Sequence, residues 1–233
     1  MTAATSVAER IAEVRAVIAR ACERAGRDPA TVLLVGASKT QPPAAIREAL
    51  EGGLTDFGEN RADELTAQVE AARAAGIRPT WHFIGHLQRN KVREVVPLIS
   101  ALHSLDSTAL IAEIERRREA LEAAGAVLPL PCYLEVNVAG EAQKQGIAPS
   151  NVPALLAAVQ ASPVVTAVGL MTVAPLVPDT EQVRPVFRAL RELAQAHGLE
   201  GLSMGMTDDY PVAIEEGATV VRVGRAIFGE RRS

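Results

Sequence analysis

The sequence predicts an α/β chain folded as a single (β/α)8 TIM barrel with an extra N-terminal helix. Three observations carry this. Short apolar runs alternate with helical patterns about eight times along the chain. The length of 233 residues suits one closed barrel. No linker, low-complexity segment or second compositional regime interrupts it, so residues 1–233 read as one domain.

The elements follow in order. Val7, Ile11, Val14 and Ile18 recur at helical spacing over 5–26, and Gly26 supplies a C-terminal stop. TVLLVGAS (31–38) reads as the first strand, and PPAAIREALEGG as a helix opened by proline and closed by glycine. TDFGEN, WHFIGH, ALHSLDS, LPCYLEVNVAG, VVTAVGLMTV, LSMGM and TVVRVG read as the next seven strands. Between them RADELTAQVEAARAAG, QRNKVREVVPLI with its Pro97 interruption, TALIAEIERRREALEAAG, a weakly marked stretch near 150–161, TEQVRPVFRALRELAQAHG and DDYPVAIEEG read as helices. A short helical end follows the eighth strand. Strands alternating with helices pair in parallel, because each connection must cross back over the sheet. A doubly wound open sheet is the rival. It favours a glycine-rich phosphate fingerprint after the first strand, and GASKTQPP contains none.

Composition narrows the function. A net charge of −4 and an aromatic content of 3% give no electrostatic or stacking footprint for nucleic acid. No stretch reaches the about 18 consecutive apolar residues of a membrane span, and the first residues lack the apolar core of a signal peptide. Cys22 and Cys132 are far apart, form no metal-ligand spacing, and read as free thiols suited to a reducing cytosol. The expectation is a cytoplasmic protein that engages neither nucleic acid nor membrane.

A barrel builds its site at the C-terminal ends of its strands. The polar residues there are Lys39, Glu59, Asn60, His86, Ser104, Asp106, Asn137, Thr172, Ser203, Arg222 and Arg225. Glu59, Asn60 and Asp106 also suit helix caps. His82 and His86 stand four apart without a third ligand, so packing or surface roles outweigh a metal site. Two stretches resist such readings. LSMGMTDD (202–209) and VRVGRAIFG (221–229) end strands seven and eight in glycine exits before helix starts, the arrangement that holds phosphate in this fold. Arg222 interrupts an apolar strand, where a buried guanidinium needs an acceptor or an anion. Closing the barrel sets strand eight beside strand one, so Lys39 neighbours Arg222 and the glycine turn. A lysine beside a phosphate site meets the needs of a pyridoxal phosphate Schiff base. Arg222 and an apolar mouth would favour the neutral, nucleophilic amine, and an arginine facing the pyridine nitrogen would weaken the cofactor as an electron sink. The other readings are a solvated Lys39, and an isomerase or aldolase of phosphorylated sugars forming its Schiff base with substrate.

GASKTQP, DFGENR, WHFIGHLQRNK, HSLDS, EVNVAGEAQKQGI, GLM and LSMGMTDDYPVAIEEGATVVRVGRAIFG together resemble the YggS/PROSC family of pyridoxal phosphate homeostasis proteins, from about residue 5 to residue 231. The resemblance implies a barrel similar to the N-terminal domain of alanine racemase, the fold type III pyridoxal phosphate barrel. It implies pyridoxal 5′-phosphate held as a Schiff base on Lys39. Ser203, Met204, Gly224 and Arg225 match the phosphate-binding turns, Arg222 the arginine facing the pyridine nitrogen, and Asn60 and Asn137 polar positions of the pocket. Relatives commonly carry threonine or serine where Arg225 stands, which removes one hydroxyl contact to phosphate. The function implied is intracellular vitamin B6 and amino-acid homeostasis by a monomer, with no catalytic residue, no metal and no established turnover. Apoenzymes that depend on the cofactor are the partners it suggests. The alternative is an amino-acid racemase on the same cofactor. Racemisation needs acid–base groups on both substrate faces, and neither Tyr133 nor Tyr210 reads as the second one.

Overall fold

A computed structural model describes residues 6–39, 41–141, 143–206 and 208–229. Eight parallel strands close into a barrel in sequence order: β1 (Leu33–Ala37), β2 (Asp56–Glu59), β3 (Thr80–Phe83), β4 (Ala101–Leu105), β5 (Leu130–Glu135), β6 (Val165–Met171), β7 (Gly201–Ser203) and β8 (Val220–Val223). Helices α1 (Val7–Arg24), α2 (Pro43–Glu51), α3 (Ala62–Ala74), α4 (Val92–Val95), α5 (Thr108–Arg116), α6 (Arg118–Ala123), α7 (Val152–Ala161), α8 (Arg184–Ala196), α9 (Tyr210–Glu215) and α10 (Arg225–Phe228) surround it. Among the described residues no helix is long and apolar enough to cross a membrane.

The extra helix α1 starts at a reciprocal cap: the Glu9 amide donates to Ser6 Oγ at 3.1 Å and the Ser6 amide to Glu9 Oε2 at 2.7 Å. Its apolar face buries Val7, Ile11, Val14 and Ile18. Arg10 donates to the Ile227 carbonyl at 2.7 Å, fastening the helix beside the end of β8. The site therefore has a braced wall where strands one and eight meet.

Pairing registers fix which side chains enter the barrel. Val35 lies opposite both Arg222 and Asp56, so these three point inward together, and Gly36 points out. A Cβ on Gly36 would meet Leu54 Cδ2 at 2.7 Å, which shows how closely the outer layer packs on β1. Outside, Phe57 and Trp81 stack 5.8 Å apart, both buried. A fully buried side chain of this kind contributes roughly 1.5–3 kcal/mol. Inside, the centre is polar: Asp56, His82, His103, Ser203 and Arg222 take places that branched aliphatics fill in most such barrels.

Three sequence expectations change. The stretch 108–125 is two helices rather than one, because Arg117 at φ −103° and ψ 3° ends α5 and opens α6. The 88–99 helix is a single α-turn flanked by 3-10 turns (Arg89–Lys91 and Val96–Leu98), the second entered at Pro97. Strand seven stops at Ser203, since Gly205 takes φ 93° and turns the chain away.

Candidate functional site

Lys39 follows β1 by two residues and is the non-glycine residue with positive φ among those described, at 37°. A left-handed lysine stores strain of order 1–3 kcal/mol, and here it turns the chain at the barrel mouth while leaving the side chain partly buried. The β1–β8 register carries Gly36 opposite Val223. Gly224 comes next, and its Cβ position lies 3.2 Å from the Ala37 carbonyl oxygen. Lys39, Arg222 and the Gly224 turn thus converge on one side of the mouth.

Arg222 is almost fully buried. Its Nη1 donates to Ser203 Oγ at 2.6 Å and its Nη2 to the Thr172 carbonyl at 3.0 Å. Burial pulls its pKa down to about 10, opposed by the Asp209 and Glu135 carboxylates. Glu135, at the end of β5, is pushed up to about 7 by burial, with Asp106 adding and Arg222 and His86 opposing. Burial also raises Asp209, whose carboxylate accepts from the Met206 amide. Two carboxylates therefore help to keep the buried guanidinium charged.

Below the mouth the polar centre forms one continuous chain. Ser203 Oγ lies 2.8 Å from His103 Nδ1, His103 Nε2 lies 3.0 Å from His82 Nδ1, and His82 Nε2 lies 3.0 Å from Asp56 Oδ1. Burial, then His82 and Arg222, hold His103 well below the usual histidine range. The Tyr133 ring sits 4.6 Å from that of His103. A Cβ on Gly201 would approach Tyr133 Cε1 to 2.9 Å, so a bare glycine is what admits the tyrosine.

Other expected residues fall differently. Ser203 is wholly buried and its hydroxyl is engaged by Arg222 and His103, below the turn that the sequence assigned it to. The Met204 side chain is packed in the core, and its amide donates to the Val220 carbonyl at 3.1 Å. Arg225 turns outward into an exposed pair with Asp208 at 2.6 Å. Asn60 is exposed on the rim, its backbone pressed against Gly85. Asn137 lies past the end of β5 and clasps its own loop, donating to the Glu141 carbonyl at 2.8 Å and accepting from the Glu141 amide at 3.2 Å. Thr207, the expected start of the helix after strand seven, lies outside the described residues.

Glu59 is no helix cap: α3 starts without a side-chain cap bond, and Glu59 Oε1 accepts from Ser38 Oγ at 2.7 Å. His86 is beyond β3, on the rim, 3.1 Å from Asp106 Oδ2. Both border a cavity of about 580 Å³ between the exits of β3 and β4. His103 and Glu135 carried no sequence signal of their own. A histidine between leucines in a short strand, and a glutamate ending an apolar run, were the available cues.

Comparison with known proteins agrees with the barrel fold. The family model described as "Alanine racemase, N-terminal domain" matches residues 11–232. A pyridoxal phosphate homeostasis protein of Aquifex aeolicus is 44% identical over 230 residues, spanning 96% of this chain and 98% of its own. One from Pseudomonas aeruginosa is 44% identical over 229 residues, spanning 97% and 96%. The solved structure of PipY from Synechococcus elongatus with PLP bound superposes with a TM-score of 0.79 at 34% identity, covering 96% of this chain and all of that one.

Proposed function

The chain belongs to the pyridoxal phosphate homeostasis proteins, on the alanine racemase N-terminal domain fold, and from that premise we propose that it binds pyridoxal 5′-phosphate in the barrel mouth as a Schiff base on Lys39, acting in intracellular vitamin B6 and amino-acid homeostasis without catalytic turnover. The observation that carries the reading is the convergence of Lys39, buried Arg222 and the Gly224 turn on one side of the mouth.

The residues fit the cofactor. The amides of Gly224, Arg225 and Ala226 have no acceptor among the described residues, and Gly224 offers close approach to the backbone, which together suit a phosphate group. Gly205, left-handed at φ 93°, leaves the neighbouring turn without a side chain; a Cβ there would meet Ala213 Cβ at 2.6 Å. Arg222 presents a fixed cation to the ring. Ser203 acts through Arg222, Arg225 contributes its backbone amide, and Met204, whose amide is engaged by the Val220 carbonyl, packs beneath the turn. Asn60 and Asn137 shape the rim and its loop. When bound, the cofactor supplies an aldehyde to the Lys39 amine and a ring able to accept electrons. A guanidinium against the ring nitrogen supplies no acid to protonate it, which favours holding the cofactor over using it. Delivery to dependent apoenzymes and a monomeric state belong to the same proposal.

One observation favours a second reading. Glu135, poised near neutrality at the mouth, is the type of acid–base group that a racemase needs opposite its lysine.

The test is direct. Purified protein incubated with pyridoxal phosphate is expected to show a visible band that borohydride abolishes, with the reduced adduct on Lys39 by mass spectrometry. Lys39→Ala removes the adduct and retains weaker, reversible binding. No uptake, or an adduct elsewhere, refutes the assignment. Racemisation of amino acids at enzyme-like rates would move the conclusion to the second reading.

A further inference from the structure

We propose that His103 and His82, closed by Asp56, are positioning residues for Arg222: a one-way chain of donors, Arg222 to Ser203 to His103 to His82 to Asp56, fixes the guanidinium that the mouth presents to the cofactor. The functional half of this rests on the reading above; the chain itself does not.

The direction follows from counting protons. A guanidinium only donates, so Ser203 Oγ accepts from Arg222 Nη1. The serine hydroxyl has one proton, and His103 Nδ1 is its other partner among the described residues. His103 must then carry its proton on Nε2, which faces His82 Nδ1. His82 in turn carries its proton on Nε2 and donates it to Asp56 Oδ1. The far end gives the same answer. A carboxylate only accepts, its second oxygen is occupied by Thr55 Oγ1 at 2.6 Å, and the bond to His82 is the main influence holding Asp56 below the usual carboxylate range. Reversing the chain with neutral rings sets a bare nitrogen against a carboxylate at one end and strands the serine proton at the other. Doubly protonating His82 places a cation in a nearly closed interior and still strands that proton.

The geometry gives the chain a purpose that packing does not. His103 and Ser203 have no exposed surface, and His82 and Arg222 have 5% and 4%. Aliphatic side chains would fill this space without the cost of desolvating polar groups. What the polar chain adds is orientation. It ties the guanidinium, through two rings held in fixed tautomers, to a carboxylate at the opposite end of the barrel. Tyr133 clamps the His103 ring from the side.

The chain has four histidines, few enough for assignment in ¹⁵N-histidine-labelled protein. Long-range ¹H–¹⁵N correlation spectra without added cofactor are expected to show His82 and His103 as neutral rings protonated on Nε2. A proton on Nδ1 of either, or a doubly protonated ring, overturns the direction. With pyridoxal phosphate added, His103→Leu is expected to shift the visible band and speed cofactor loss on the order of tenfold, the scale of one lost bond to a charged group. His103→Gln, which can accept from Ser203 and donate to His82, restores most of both. Asp56→Ala, at the solvent end, perturbs both with little change to interior packing and serves if His103→Leu fails to fold. Unchanged band and loss rate in the folded variants overturn the positioning role. A wild-type protein that takes up no cofactor refutes the functional reading alone, because the tautomers are read without it.

Discussion

Glu59 makes the protein's stability fall as pH rises toward neutrality, and Glu59→Gln isolates the effect. The carboxyl has no exposed surface. Ser38 bonds one oxygen, and the other has no partner among the described residues. Burial, with Glu64 adding and Ser38 and Lys39 opposing, raises its pKa from 4.5 to about 7. Because the folded value is the higher one, the native state holds more protons than the unfolded chain between the two values. The contribution is therefore full below the unfolded pKa and lost as pH climbs through the folded one. At about 1.4 kcal/mol per pKa unit, the loss between pH 5 and pH 8 comes to roughly 2–3 kcal/mol. The glutamine stays neutral throughout. Urea unfolding of both proteins at those two pH values should give near-equal stabilities at the lower pH and an advantage of that size for Glu59→Gln at the higher. Glu135 adds a parallel slope to both proteins and cancels in the difference. Identical pH dependence in the two would refute the argument.

The remaining predictions concern packing and charge away from the mouth. Gly169→Ala drives a Cβ to within 2.0 Å of the Gly201 carbonyl oxygen, a clash between the backbones of β6 and β7. It should cost about 3 kcal/mol or more and appear as a lower unfolding midpoint. Glu216 is buried and accepts from Arg184 at 3.3 Å, Arg188 at 3.0 Å and Arg191 at 2.7 Å, joining α8 to the end of α9. Glu216→Gln leaves the three guanidiniums without their shared anion and should lower stability by roughly 1–3 kcal/mol, a loss read by thermal unfolding at low salt.

The barrel was legible because its signal repeats. Each strand is a short apolar run, each crossover has its own start or stop residue, and eight errors would be needed to hide the period. What failed was local. The break at Arg117 sits in TALIAEIERRREALEAAG, a run of good helix formers with no proline or glycine inside it, so propensity gave no warning. Pro97 did mark an interruption, but the sequence could not say that its segment keeps only one α-turn, Val92–Val95.

The site divides along a similar line. Lys39, Arg222 and Gly224 were legible because closing a barrel makes strands one and eight neighbours, a topological fact that needs no coordinates. Ser203 was placed on the right strand, and the protein partners of its hydroxyl, Arg222 and His103, were not foreseen. Strand parity accounts for those partners. Ser203 shares the inward face with Arg222, whereas the turn that follows rises above the mouth. His82 illustrates the deeper limit. Taken alone, a strand histidine is best read as packing, and burial agrees with that. Its meaning comes from Asp56 on one neighbouring strand and His103 on the other, 26 residues before it and 21 after. Those separations carry no period of their own, because each is set by the length of a crossover. Only the pairing registers, Asp56 with Thr80 and His82 with Ala101, bring the three side chains to one face. A polar interior chain of this kind is written across strands rather than along them, and a sequence read along one strand at a time passes over it.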